Sequence, residues 1–405
     1  MEWEDFAAIL ADRGMPDRSM PAAVVDLDAL ERNVDRLCGA LRGTGKSLRV
    51  ASKSVRHVGL LRRILERGAP AARGLMCFTL AEADFLAEQG FDDLLVAYPS
   101  VQDAPLRRVA ARVKAGATIR LIADAHDQLA AYGLAAMEAG CELEVVLDLD
   151  VSYEALLGKV HLGVQRSPLR SAEQVVALAR QAHAIHGVRV VGLMGYEAHV
   201  AGLPDATPFS PALNPVRKAL KRLSIPRVAE LREAAVRALE QDGVALSLVN
   251  GGGTGSIAST AREPWVTEVT AGSGFVCSHL FDYYEGTTLE PAAFFALEVC
   301  RIPEHGIVTC LGGGYVASGE PGWDRLPVPW LPHGLSYLSM EGAGEVQTPL
   351  RLPKNAPPIA IGDPIVFRHA KAGELAERFD HYLLARGSHV EAIEPTYRGQ
   401  GRCFL

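Results

Sequence analysis

From Ala22 onward the chain alternates between short apolar runs and longer amphipathic stretches, and this alternation restricts the fold more than any other feature. Apolar runs at Ala22–Leu27, Leu48–Ser52, Gly74–Phe78, Leu94–Ala97, Thr118–Ala123, Leu143–Leu149, Val188–Met194 and Leu246–Val249 read as eight strands. Between the first two, Leu27, Leu30, Val34, Leu37 and Leu41 recur at helical spacing, giving one buried stripe. Capping boxes are read at Asp28-x-x-Glu31, Thr79-x-x-Glu82 and Ser171-x-x-Gln174, and Gly68, Gly90 and Gly140 read as helix ends. Strict β–α alternation implies a parallel sheet covered by helices. Eight units in about 250 residues is the size of a closed (β/α)8 TIM-type barrel. An open doubly wound sheet is the alternative.

Past residue 290 the pattern changes. Runs at Ala292–Ile302, Gly306–Cys310, Leu335–Met340, Pro364–Phe367 and Val390–Ile393 read as short strands between Gly and Pro clusters. The expected organisation is therefore a barrel over residues 20–285 and a smaller, mostly β domain over 286–405, joined by residues 1–19. Pro204, Pro208, Pro211 and Pro215 mark a long irregular loop of the kind that walls active sites.

Composition narrows the function. Of 405 residues, 48% are hydrophobic and 22% charged, enough apolar material for full cores. A net charge of −7 argues against a nucleic-acid partner and against anionic membranes. No apolar run approaches the ~20 residues that span a bilayer. The seven cysteines form no C-x-x-C pair and sit mostly in apolar runs, as buried thiols in a reducing compartment do. The acidic start Met-Glu-Trp-Glu-Asp-Phe lacks a signal-peptide pattern, and the expected location is cytoplasmic.

Barrel enzymes carry their working residues just after the strands. Lys53 follows the second run, Thr79 the third and Tyr98 the fourth. Asp148, Asp150, Lys159 and His161 follow the sixth, and Tyr196, Glu197 and His199 the seventh. A lysine held among apolar neighbours loses its proton readily and attacks carbonyls, including the aldehyde of pyridoxal phosphate; the plain alternative is a surface lysine. After the eighth run comes Asn250-Gly251-Gly252-Gly253-Thr254-Gly255-Ser256. Glycines let backbone N–H groups converge on an anion, and the hydroxyls add donors; the alternative is a flexible turn. A phosphate cradle together with a strand-end lysine is what a pyridoxal phosphate site requires.

With these residues in place, the sequence resembles the fold-type III pyridoxal phosphate enzymes, the alanine racemase-like barrels. The stretch from Pro21 to Asn33 resembles their opening. Lys53-Ser54, Cys77 to Ala83, Gly192 to Tyr196, Asn250 to Gly255 and Thr267 to Ser273 resemble the D-threonine aldolase and D-serine dehydratase branch. The resemblance implies Lys53 as the lysine that carries the cofactor as a Schiff base, and Gly251 to Gly255 as the phosphate cradle, with Asn250 beside it. It also implies a homodimer in which the β domain faces the barrel mouth of its partner.

Two departures stand out. Where the branch commonly has arginine near the cofactor ring, this chain has His161-Leu162-Gly163-Val164. Where it carries a His-x-Cys or His-x-Asp metal motif, this chain has His369-Ala370-Lys371. An ammonium has no lone pair for a metal. The expectation is no bound metal, with the Lys371 charge in its place and His369 as proton carrier; the alternative is two surface strand residues. The whole reads as a pyridoxal phosphate-dependent lyase of a small D-amino acid, an aldolase or a dehydratase. Tyr196 and His161 are expected against the cofactor. A racemase of the same fold, using Tyr315, Tyr337, Tyr382 or Tyr397 as second base, and a non-catalytic cofactor-binding protein are the alternatives.

Overall fold

The computed structural model describes residues 1–11, 19–155 and 160–404. Eight parallel strands close a barrel in the order Ser47–Ala51, Ala72–Cys77, Leu94–Val96, Ile119–Ala123, Leu143–Asp148, Val188–Gly195, Leu248–Gly251 and Glu268–Ala271. The last strand pairs with the first, Val269 lying opposite Leu48. The barrel is filled, not hollow: Leu95, Ile122, Val146, Val191, Met194 and Leu248 form a buried interior cluster.

The count of eight is right, but its membership differs from the sequence reading at both ends. Ala22–Asp26, expected as the first barrel strand, belongs to the other sheet. It pairs antiparallel with Ala293–Glu304 and parallel with His381–Arg386. All five of its residues are buried, because strands flank it on both edges and both faces are covered. Glu268–Ala271, passed over in the sequence, completes the barrel. It is four residues long, and the connection before it holds only the single helical turn Ile257–Thr260, so no alternating pattern marks it. A carboxylate inside a strand is tolerated here by pairing. Arg49, almost wholly buried, donates to Glu268 at 2.5 and 2.8 Å, and the Asn250 amide donates to it at 2.7 Å. The first, seventh and eighth strands are thus stitched together inside the barrel.

The second domain is a nine-stranded sheet built largely from residues past 293. Beyond the expected strands it includes Val328–Leu331, Gln347–Arg351 and His381–Arg386. Helix Trp3–Ala11 covers one face, burying Phe6 and Ile9 against Val24, Phe294 and Val366.

The helices begin where short polar side chains meet orphan N–H groups. Thr79 and Ser171 cap as expected. The first long helix, Leu27–Gly39, is capped by Asp26, whose carboxylate accepts from the Ala29 N–H at 3.0 Å, and not by Asp28. Among the described residues no helix is long and apolar enough to cross a membrane.

Candidate active site

The C-terminal ends of the barrel strands open into a cavity of about 560 Å³, shared with one edge of the β domain. Lys53 lies on its wall. The strand Ser47–Ala51 ends in a single 3-10 turn, Ser52–Ser54, tied to the next strand by a hydrogen bond from Ser52 Oγ to the Met76 carbonyl at 2.9 Å. The Lys53 ammonium stands 5.8 Å from the Tyr98 ring centre. The β domain grips the same turn. Arg56 donates to the Lys53 carbonyl at 3.0 Å and to Glu377 at 2.6 Å. A Cβ at Gly373 would collide with that carbonyl, so only glycine lets helix Ala372–Ala376 rest there. The backbone of Lys53 is therefore fixed by both domains while its side chain faces the cavity.

The glycine cluster forms the opposite side. Gly252 adopts φ +87°, a left-handed conformation that glycine takes without strain. A Cβ at Gly253 would sit 2.8 Å from the Ala201 Cβ and 3.2 Å from the Tyr196 ring. The loop is held from behind by Glu197, which accepts from Gly252 N–H at 3.1 Å, Ser256 Oγ at 2.7 Å, Thr260 Oγ1 and Arg232 at 2.8 Å. Burial pushes the Glu197 carboxyl up, but Arg232 and these donors prevail and hold it below the ordinary range. Arg232 is itself fully buried and also donates to Glu263. The N–H groups of Thr254 and Gly255 meet no acceptor among the described residues. Thr254 Oγ1 accepts from Gly274 N–H at 3.1 Å, which joins the loop to the turn after the eighth strand. There Ser273 Oγ lies 3.1 Å from Ser54 Oγ. Asn250 and Gly252 to Thr254 line the cavity; Gly251 and Gly255 lie at its back, Gly251 beneath the Arg232 guanidinium.

Lys53, Asn250, the glycine loop and Tyr196 are thus brought together. Tyr196 is half-buried, and its desolvation pushes the phenol up to about 12. His161 is not among them: it lies off the cavity wall. The cation there is Arg166, which sequence reading passed over. It donates to Asp148 at 2.7 Å and to the Ala97 carbonyl at 2.8 Å, and it stands 5.0 Å from the Tyr98 ring centre. Burial pushes the Asp148 carboxyl up to about 6 against the pull of Arg166. The signal was present five residues beyond His161, at the end of a segment with no periodicity. Lys159 lies outside the described residues.

The pair His369 and Lys371 divides. Lys371 is on the cavity wall, where its ammonium donates to Ser318 Oγ at 2.9 Å. His369 is turned away from the main cavity toward a small side chamber beneath Tyr315 and Glu374. Its Nδ1 donates to the Ala293 carbonyl at 3.0 Å, which leaves Nε2 as the unprotonated nitrogen. Burial, with Arg368 alongside, pushes the imidazole down to about 3. That environment keeps the ring neutral, which is poorly suited to the proton-carrying role expected of it. The pair does not fit a metal either: one imidazole nitrogen is joined by an ammonium, and no cluster of three His, Cys, Asp or Glu groups suited to a metal occurs among the described residues.

Glu374 and Glu377, in and just after helix Ala372–Ala376, have work at the site. Glu377 pairs with Arg56 behind Lys53, and Glu374 reaches the cavity wall. Arg325 also lines the mouth. The tyrosines weighed as second bases lie elsewhere. Tyr382 stacks on His57, Tyr397 donates to Glu82, Tyr337 donates to the Pro327 carbonyl, and Tyr315 borders the side chamber.

Comparison with known proteins fits this geometry. The family described as "Alanine racemase, N-terminal domain" matches residues 25–275. A 3-hydroxy-D-aspartate aldolase of Paracoccus denitrificans (strain Pd 1222) is 28% identical over 256 residues, covering 62% of this chain and 59% of the relative. A D-threo-3-hydroxyaspartate dehydratase of Delftia sp. (strain HT23) is 29% identical over 257 residues, covering 62% and 60%. The chain thus spans about three fifths of the length of the curated relatives it matches. A crystal structure of D-threonine aldolase from Filomicrobium marinum superposes with a TM-score of 0.79 at 22% identity, covering 94% of this chain and 96% of that one.

Proposed function

The chain belongs to the family of the alanine racemase N-terminal domain, and from that premise we propose that it is a pyridoxal phosphate-dependent lyase of small β-hydroxy-D-amino acids. One observation carries the reading: an amine fixed at a strand end and a glycine loop with unspent N–H groups face the same cavity. The residues present fit the cofactor. Lys53 supplies the amine for its aldehyde, and the Thr254 N–H group, with the Thr254 and Ser273 hydroxyls, supplies donors for its phosphate. Tyr196 closes the cavity beside the glycine loop, and Arg166, fixed by Asp148, offers a positive charge beside it.

When bound, pyridoxal phosphate supplies an electron sink for the bonds at the substrate α-carbon. The chain's own residues do the rest. Lys53 holds the cofactor and, once displaced, takes and returns a proton at its Nζ. The Lys371 ammonium, on the β-domain side, offers a proton and a positive charge to the substrate hydroxyl. In cleavage that charge would steady the oxygen while Lys53 Nζ takes the hydroxyl proton and returns a proton to the α-carbon; in elimination Lys53 Nζ would take the α-proton and the Lys371 ammonium would give a proton to the hydroxyl, which leaves as water. Because Lys371 stands where the resembled branch carries a metal ligand, the reading is of metal-independent chemistry. We further place the protein in the cytoplasm, where its seven free thiols persist, and as a homodimer.

Product analysis tests the proposal. Incubation of the cofactor-loaded protein with D-threonine and D-serine should yield an aldehyde with glycine, or a keto acid with ammonia. Loss of optical rotation with neither product would favour the racemase reading, and no change on any D-amino acid would favour a binding protein.

A further inference from the structure

The proline-marked segment 204–215 and the helix after it, Asn214–Gln241, put no side chain of their own on the cavity wall. They reach the cavity through Tyr284. Asp205 accepts from the Glu285 N–H at 2.9 Å with one carboxylate oxygen, and its other oxygen stands 3.1 Å from the Lys221 ammonium. The Ala206 N–H donates to the Tyr283 carbonyl at 2.8 Å, a second tie to the same turn. Lys221, two turns into the helix, lies 4.7 Å from the Tyr284 ring centre. The side chains of Lys221 and Asp205 are only 13% and 11% exposed, so this pair is largely shielded from water.

Tyr284 lines the cavity beside the end of the glycine loop. A Cβ at Gly255 would come within 2.8 Å of the Tyr284 Cε1, so the ring lies directly against the loop backbone. Its hydroxyl makes no hydrogen bond among the described residues. Burial pushes the phenol up, with Tyr196 and Asp205 alongside, so the oxygen keeps its proton. The hydroxyl is therefore a donor with nothing to donate to. An ammonium over a tyrosine face is attracted by the ring, more strongly where water is excluded. Lys221, fixed by Asp205, thus holds the ring in place against Gly255. The loop offers an anion the Thr254 N–H and the hydroxyls of Thr254 and Ser273. A phosphate has three strongly accepting oxygens, which these donors do not exhaust.

We propose that the Tyr284 hydroxyl is a further donor to the cofactor phosphate, and that Lys221, held by Asp205, is the positioning residue that keeps the Tyr284 ring against the glycine loop. This rests on the pyridoxal phosphate reading above. Tyr284 has no part in the bond-breaking step, and Lys221 acts only through Tyr284. The segment 204–215 and the helix after it then serve cofactor retention from outside the cavity.

The test titrates pyridoxal phosphate, and separately pyridoxal, which lacks the phosphate, into the natural protein and into Tyr284→Phe, Lys221→Met and Lys221→Arg. Absorbance of the imine reports uptake. Tyr284→Phe keeps the ring and removes the donor. It should weaken pyridoxal phosphate binding by about 10- to 100-fold, the worth of a hydrogen bond to a charged group, and leave pyridoxal binding unchanged. Lys221→Met should do the same to a smaller extent, and Lys221→Arg, which keeps the cation, should restore most of the loss. The phosphorus NMR signal of the bound cofactor should move in Tyr284→Phe. Equal weakening of both compounds, as when Tyr284 only packs, overturns the inference, and so does no weakening of either. A raised substrate KM with cofactor affinity intact, as when the hydroxyl reads the substrate, overturns it too. All three leave the lyase reading standing. A natural protein that takes up neither compound removes both.

Discussion

Arg166 and Arg325 look alike by position: both line the same cavity and both are mostly buried. They differ in what holds them. Arg166 is on the barrel wall and is committed to Asp148 and the Ala97 carbonyl; Arg325 is on the β-domain wall and, among the described residues, is held only by a 3.4 Å bond to the Glu320 carbonyl and a 3.6 Å ion pair with Asp324. The contrast extends to their surroundings. Behind the barrel wall, Glu197, Arg232, Ser256 and Thr260 form a closed network around the glycine loop. On the facing wall, Ser318 bonds Glu374, and the Lys371 ammonium stands 2.9 Å from Ser318 Oγ and 3.8 Å from Glu374 in a small cluster at the mouth. A wall braced from behind by a buried network is rigid and holds one thing; a wall without such a brace reads what arrives.

The comparison predicts that damage to the barrel wall affects every substrate, whereas damage to the β-domain wall changes preference. The largest effect belongs to Lys53→Ala, which should cost about 10²- to 10⁴-fold in turnover on all substrates alike, the range for a lost proton-transfer group. Steady-state kinetics on two substrates would check this, and a selective loss would break the comparison.

Next is Arg232→Met, which strips the buried Glu197 and Glu263 of their cation. Breaking such a pair from one side costs about 3–5 kcal/mol. Denaturant unfolding should show that loss, and cofactor titration should show weaker uptake with no change in preference.

A third prediction concerns pH. Glu82 is fully buried, accepting from the Phe78 N–H at 2.7 Å and the Tyr397 hydroxyl at 3.1 Å, and burial pushes its carboxyl up to about 7. Between the ordinary value of 4.5 and 7 the folded protein keeps a proton that the unfolded chain has released. This contribution to stability is therefore largest in acid and declines as pH rises through that window. Glu82→Gln keeps the acceptor and removes the titration, so its unfolding free energy should vary less with pH than that of the natural protein. An identical pH dependence would contradict the assignment. The smallest effect is Thr79→Ala, a lost helix cap costing about 1 kcal/mol of stability, visible in thermal melts and silent in substrate preference.

How much of this was legible in the sequence follows the same divide. The barrel wall follows local rules. Apolar strands, caps such as Thr79 and the run Asn250 to Gly255 are contiguous signals, and they located Lys53 and the loop without coordinates. What failed there failed for want of length or period. Glu268–Ala271 is too short to alternate, and Ala22–Asp26 is a buried strand whose sheet no local pattern can specify. The β-domain wall is assembled from afar: Lys371 meets Ser318 across 53 positions, and Glu377 meets Arg56 across 321. Arg325 sits between a Pro-Gly turn and a Pro, reading as an ordinary loop charge until the fold sets it at the mouth. His369 shows the opposite error. Its motif position suggested chemistry, but packing against Ala293 turned the ring away from the cavity.

The most direct test of the central claim is borohydride reduction of the cofactor-loaded protein followed by peptide mapping. The account predicts a yellow protein that bleaches on reduction, with the pyridoxyl label on the peptide carrying Lys53. A colourless protein that takes up no pyridoxal phosphate, or a label on Lys371 or any other lysine with Lys53 unmodified, would contradict it.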